Sequence, residues 1–211
     1  MKIATPELHK KCSDVALARR SSLRSLGGVT VGGFLSSFLN GMPSTVIANS
    51  ARPAGFPSEL EEIAAQIPWR KRGTATLRVL LFKVYDATLW SSAEKANPLE
   101  EKAPFALDIT YALAVKRDDL VDTSMQEMIR LRSPNAATQN RWNTSLKSVF
   151  PSVVSGDRLL GVSIPAKGVR FYHNGKLTGE VADSAFSEAF FAIWLDGNTK
   201  KPDVRRALLG T

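Results

Sequence analysis

Thiols and imidazoles are scarce in this chain. Of its 211 residues one is cysteine and two are histidine. Cys12 and His9 both fall in the first 48 residues, which leaves the rest of the chain without cysteine and with His173 as its single histidine. Disulfides and thiolate chemistry are therefore excluded from residues 49–211. A zinc site of the usual kind needs three or four His and Cys ligands and cannot be assembled there. A Ser-His-Asp triad could draw on no imidazole but that of His173. Long apolar runs are missing too: none reaches the roughly 18 residues that span a bilayer. No basic stripe is interleaved with aromatics and no nucleic-acid motif is present, so a sequence pI near 9.8 does not point to nucleic acid. Nothing in the chain calls for a metal or a cofactor.

What is present is the balance of a soluble globular protein, 44 % hydrophobic and 23 % charged. The length suits one ordinary domain with something appended. The charge is uneven, because residues 1–48 hold six basic residues and two acidic ones. Arg19-Arg20 is followed by Ser21-Ser22-Leu23-Arg24 and then by a mildly apolar, Gly- and Ser-rich stretch from Leu26 to Leu39. Val46-Ile47-Ala48 supplies a small-residue cleavage site after Ala48. A basic start, a weakly apolar middle and a small-residue end describe an export signal of the twin-arginine kind, which places the mature protein in the periplasm. The same richness in Arg and Ser also fits an organellar import peptide or a tail without structure. Residues 49–57 read as a linker, and residues 58–211 as the domain.

The most telling stretch is Gly156–Leu195. Strands at Arg158–Ile164, Gly168–Asn174 and Lys176–Val181 form a meander whose second turn is Asn174-Gly175, the strongest two-residue hairpin signal. Asp183 or Ser184 then caps an apolar helix, Ala185–Leu195, whose lack of a polar face marks it as buried. Upstream, Ser58 and Glu61 form a capping box for a short helix to about Ile67, before Pro68. Thr74–Trp90 is one long strand bent near Phe82-Lys83, or two short strands. Phe105–Val115 alternates, with Phe105, Leu107, Ile109, Tyr111, Leu113 and Val115 on one face. Asp118–Arg132, capped by Asp118 or Asp119, and about Ala136–Phe150 read as helices, and Asp118, Asp119 and Asp122 belong to a first helical turn rather than to an acid site. Pro202 opens a last helix that Gly210 ends. Strands followed by grouped helices predict an α+β fold with an antiparallel sheet and helices on one face.

With these elements placed, the chain resembles the chalcone isomerase-like family in its bacterial exported branch. The resemblance rests on Lys83-Val84-Tyr85-Asp86-Ala87-Thr88-Leu89-Trp90, on the strand from Phe105, on Phe150-Pro151 leading to Gly156-Asp157, on Phe171 ahead of Asn174-Gly175, on Phe190–Leu195, and on Pro202 with Leu208-Leu209-Gly210. It covers about Gly73–Gly210. It implies an open-faced β-sandwich: a curved antiparallel sheet under a helical layer, with a cleft for a small apolar or aromatic ligand. Catalytic members use an arginine on an early strand, and Arg78 is its match in this chain. Tyr85 falls where those members carry a catalytic threonine, and Ile193 falls near the second threonine. This chain thus departs from the hydroxyl set of a chalcone-cyclising isomerase.

The candidate site is therefore Arg78 and Tyr85, as catalytic or ligand-holding groups, with Tyr111, Trp142 and Ile193 lining the ligand. Arg78 and Tyr85 share a face only if the strand bulges between them. Trp142, Trp194 and Tyr111 read equally as core anchors. His173, beside a hairpin turn, lacks the pocket and partner that a base needs. Three functions remain: an exported binder of a small apolar acid such as a fatty acid; an isomerase or lyase that stabilises an oxyanion through Arg78; and a non-catalytic envelope partner protein with a filled cleft.

Overall fold

The structure is a computed structural model, and it describes residues 54–63, 67–95 and 97–211. The expected export signal at 1–48 and the first part of the linker lie outside the described residues. The chain divides into two units, Met1–Ala51 and Arg52–Thr211, and the sheet with its helices belongs to the second.

Six strands form one sheet in which spatial order equals chain order and every neighbouring pair is antiparallel. The strands are β1 (Arg70–Val79), β2 (Phe82–Ser91), β3 (Phe105–Tyr111), β4 (Arg158–Ile164), β5 (Gly168–His173) and β6 (Lys176–Val181). The apolar stretch Thr74–Trp90 thus resolves into a hairpin, turning at Leu80-Leu81. Its ladder slips between Leu77↔Tyr85 and Arg78↔Lys83, which makes Val84 the extra, bulged residue. β3 ends at Tyr111, earlier than its alternation suggests, because the chain peels away into a bridge between Val115 and Val153. In the β5–β6 turn, Asn174 and Gly175 have φ of 48° and 83°, the type I′ geometry that their sequence predicts.

Six helices accompany the sheet among the described residues. They are α1 (Glu59–Ile63), α2 (Pro98–Glu101), α3 (Arg117–Arg132), α4 (Ala136–Val149), α5 (Ser184–Leu195) and α6 (Pro202–Leu209). α1 is described as far as Ile63; residues 64–66 lie outside the described residues, and Ile67 lies in a bend before Pro68. The cap of α3 is Lys116 rather than an aspartate, with the Arg117 amide donating to Ser152 Oγ at 3.1 Å. Asp118 and Asp119 then sit in the first turn, where the helix dipole favours them. Asn135 and Asp183 cap α4 and α5, accepting from the amides of Thr138 and Phe186.

α5 is buried because it carries apolar residues nearly all round. Phe186, Phe190, Phe191 and Leu195 meet Phe105, Leu107, Phe171 and Val169 of the sheet in one continuous core. α3 and α4 close over α5 with Val121, Met125, Met128, Trp142, Leu146 and Val149. A polar tie crosses the same layer, Ser163 of β4 to Ser187 of α5 at 3.0 Å. α6 covers β1, and it approaches so closely that a Cβ at Gly73 would stand 2.0 Å from the Ala207 carbonyl oxygen.

The opposite face of the sheet is not bare. Trp90, Ala106, Leu160, Val162 and Tyr172 form a second, smaller core there, covered by Phe56, Leu60, Ile63 and Trp69. Phe56, within the expected linker, stands edge-on to Trp90 with centroids 5.3 Å apart. An ionic clasp fixes this cover: Arg158 of β4 donates to Glu59 Oε1 and to Asp108 Oδ1, each at 2.6 Å. Burial works against both carboxylates. It wins at Asp108, whose pKa is raised, while hydrogen bonds from Arg158 hold Glu59 below the usual range.

Gly73→Ala should weaken the fold by on the order of 1–3 kcal/mol, because a methyl group there must displace helix backbone rather than a pliable side chain. Urea unfolding measures this; an unchanged midpoint would mean that α6 is not seated on β1.

Candidate functional site

Besides the Ser163–Ser187 tie, the sheet register assembles a larger polar feature on its helix-covered face. Tyr85 of β2 lies opposite Leu77 of β1 on one side and opposite Tyr111 of β3 on the other. Both tyrosines are buried, 9 % and 8 % exposed. Their rings meet edge to face, with centroids 6.0 Å apart and planes at 71°. Cross-strand aromatic pairs of this geometry hold strands in register as well as shaping a surface. From above, Trp194 in the last turn of α5 donates its indole N–H to the Tyr85 hydroxyl at 2.8 Å. A phenol that accepts one hydrogen bond keeps its own proton to donate. Among the described residues the Tyr111 hydroxyl has no hydrogen-bond partner.

Electrostatics keep these groups neutral. Burial pushes Tyr85 up to about 12, although the bond from Trp194 pulls the other way. Burial raises Tyr111 as well, and the neighbouring Tyr85 adds to it. Both therefore remain O–H donors throughout the physiological range. Leu77, opposite Tyr85, and Trp194, bonded to it, are only half-buried, so apolar surface beside that phenol reaches solvent; Leu113 and Ile193 are half-buried against the same core. Two neutral donors beside an apolar wall suit an acceptor oxygen on an otherwise apolar molecule, such as a carboxylate or carbonyl. The rest of the layer between sheet and α5 is filled with rings: Phe190 stands 5.1 Å from both Phe171 and Phe191, and Phe105 stands 4.7 Å from Phe191.

The structure does not bring the sequence's two leading candidates together. Arg78 is exposed on the far face of the sheet, two residues beyond Thr76, whose hydroxyl bonds Asp86 at 2.6 Å. The extra residue here, Val84, is in β2 rather than β1, so Arg78 stays on the face opposite Leu77 and Tyr85. Its electrostatic neighbour is Asp86, which Lys83 also engages. Trp142 is buried at the other end of α5, its indole donating to the capping Asp183 at 3.1 Å. That end is about 16 Å along the helix from Trp194. Ile193 stands beside Trp194, and its carbonyl accepts from the Thr199 hydroxyl at 2.7 Å. His173 sits at the hairpin end of β5, 3.2 Å from Asp157. Trp194 is the partner that sequence reasoning did not assign to the site. Its signal was weak: a buried indole N–H usually finds an acceptor, but those of Trp69 and Trp90 find none among the described residues.

Sheet, buried helix and phenol pair define an antiparallel α+β protein with an apolar, donor-bearing seam between its two layers. The chain belongs to the chalcone isomerase-like family, whose sequence profile matches residues 70–210. An uncharacterized protein of Haemophilus influenzae is 27 % identical over 142 residues, 67 % of this chain and 68 % of that one. The crystal structure of an Arabidopsis thaliana fatty-acid binding protein superposes with a TM-score of 0.56 at 10 % identity, covering 67 % of this chain and 86 % of that chain. That likeness is one of fold.

Because unfolded tyrosine ionises near 10 and Tyr85 does so only at about 12, the folded state loses stability as pH rises through this window. The loss attributable to Tyr85 should reach on the order of 2 kcal/mol by the upper end. Urea unfolding across the alkaline range should therefore fall more steeply for the parent than for Tyr85→Phe. Equal slopes would mean that the phenol is not shielded.

Proposed function

We propose that this protein is an exported, non-catalytic binder of a small amphipathic acid, fatty-acid-like in character, acting in the periplasm. The observation that carries this reading is the buried, neutral Tyr85–Tyr111 pair beside half-buried apolar side chains. The pair supplies two O–H donors to one carboxylate or carbonyl oxygen, while Leu77, Leu113, Ile193 and Trp194 provide the apolar wall for the remainder of the molecule. Family membership and a fold shared with a fatty-acid binding protein support it. An isomerase reading built on Arg78 lacks support, because that guanidinium faces away from the phenols. The ring-filled layer beneath α5 favours one other reading, a non-catalytic envelope partner protein whose seam serves packing alone. Export rests on the Arg19-Arg20 leader.

Native mass spectrometry of the purified protein, followed by titration with long-chain fatty acids, tests the binding reading. Tyr85→Phe and Tyr111→Phe should each weaken binding about tenfold, the usual effect of losing one hydrogen bond to a charged group. Arg78→Ala should leave it within about twofold. A folded protein that takes up no acyl or aromatic acid, or whose binding ignores both tyrosines, would sink the proposal and leave the partner reading. For export, cell fractionation should find the chain retained in the cytoplasm when Arg19-Arg20 becomes Lys-Lys; unchanged export would remove the twin-arginine assignment.

A further inference from the structure

The large apolar side chains most exposed to solvent are not scattered. Leu80, Leu81 and Phe82 are 65 %, 89 % and 47 % exposed, and Val154 and Leu177 are 58 % and 57 % exposed. Single exposed leucines are ordinary on a protein surface. All five lie toward one end of the sheet, with Leu80, Leu81 and Phe82 contiguous and Leu177 four strands across from them on β6. In an antiparallel meander the odd strands finish where the even strands begin. Leu80 and Leu81 form the β1–β2 turn there, and Phe82 opens β2. Val154 lies in the turn leading into β4, anchored beside the end of β3 by Gly156 donating to the Tyr111 carbonyl at 2.8 Å. Leu177 follows the first residue of β6.

The hairpin tip breaks two local rules at once. Three consecutive apolar residues face water, and Leu80 holds a φ of 54° where hairpins favour glycine or asparagine. No packing within the described domain offsets this. Natural sequences depart from local consistency mainly where function asks for it.

Charge says what the end meets. Arg78, Lys83, Lys116, Arg117 and Lys176 are all exposed and border the same rim. Of the acids there, Asp86 is held by Thr76 and Lys83 and Asp157 by Asn174 and the Val154 amide, while Asp118, beside Arg117, is exposed. Convex apolar turns ringed by cations match the boundary between acyl chains and anionic headgroups. The apolar tips enter and the cations stay with the phosphates.

We propose that this end of the sheet is a membrane-docking surface, in which the Leu80-Leu81-Phe82 tip inserts into an anionic bilayer and the surrounding basic residues contact lipid headgroups. The proposal goes beyond ligand binding and stands without it. If both hold, the two sites are close, since Tyr85 lies three residues from Phe82 and a membrane-derived acid would have a short path to the phenols.

Vesicle flotation of the full chain, with phosphatidylcholine alone and with added phosphatidylglycerol, tests the proposal. Any contribution of the basic leader is common to all variants and cancels in the comparison. Leu80→Asn with Leu81→Asp suits the turn geometry, and it should lower vesicle affinity at least about tenfold. Arg78→Gln with Lys83→Gln should weaken binding to the anionic vesicles and leave the weak binding to neutral ones unchanged. Both variants should keep the parent's melting temperature and its fatty-acid titration, which separates failure of docking from failure of the binding reading. A tip variant that floats as well as the parent overturns the proposal. So does a parent that forms a dimer abolished by the tip variant with flotation unaltered, because the tip would then dock on a second copy of this chain.

Discussion

Phe190 lies at the centre of this protein. Its ring meets Phe150, Phe171, Phe186, Phe191 and Trp194, joining the meander to α5 in one aromatic mass. Aromatic burial of this kind is among the largest stabilising terms that a small domain has, and its edge-to-face geometry fixes orientation as well as energy. The position of α5 governs the rest of the helical layer. It sets where α3 and α4 can close, and it carries Trp194 to the Tyr85 hydroxyl. It also confines the polar, solvent-reaching part of the seam to the β2–β3 side. Packing and site are thus consequences of one placement.

Much of this was legible from local signals. Asn174-Gly175 specified the β5–β6 turn through backbone chirality, and Asp183 specified the start of α5 through its hydrogen bond to the Phe186 amide. The alternation from Phe105 to Tyr111 marked the buried face of β3. Failures came where the answer lay elsewhere in the fold. Thr74–Trp90 offered no glycine, proline or asparagine at its turn, so nothing local distinguished a bent strand from a hairpin. Arg78 could not be assigned a face without knowing that the chain reverses two residues later. The clasp of Arg158 with Glu59 and Asp108 joins distant parts of the chain, and no periodicity announces it. Nor did composition hint that Phe56 and Trp69 cover the second face of the sheet.

The seam and the rim describe a division of labour between the inside of the sheet and its end. Inside, burial keeps two phenols neutral, at a place where apolar side chains still reach solvent. At the end, apolar side chains remain uncovered amid basic ones. Hydrogen-bond donors in a dry setting select an acceptor by polarity, whereas an apolar tip with cations selects a surface by phase and charge. Neither proposed role demands an imidazole, a thiol or a metal.

Strand order that equals chain order has a kinetic consequence. β1 with β2, and β4 with β5 and β6, can pair through short turns as soon as their own residues are available. Joining β3 to β4 is different, because α3 and α4 intervene in the chain between these neighbouring strands. Closing that long loop is the entropically slow event, with little reward until α5 arrives to cover both halves. During synthesis the β1–β2 hairpin and β3 must therefore wait with their apolar face uncovered until α5 has been made. The protein is expected to complete its fold late and all together rather than piece by piece.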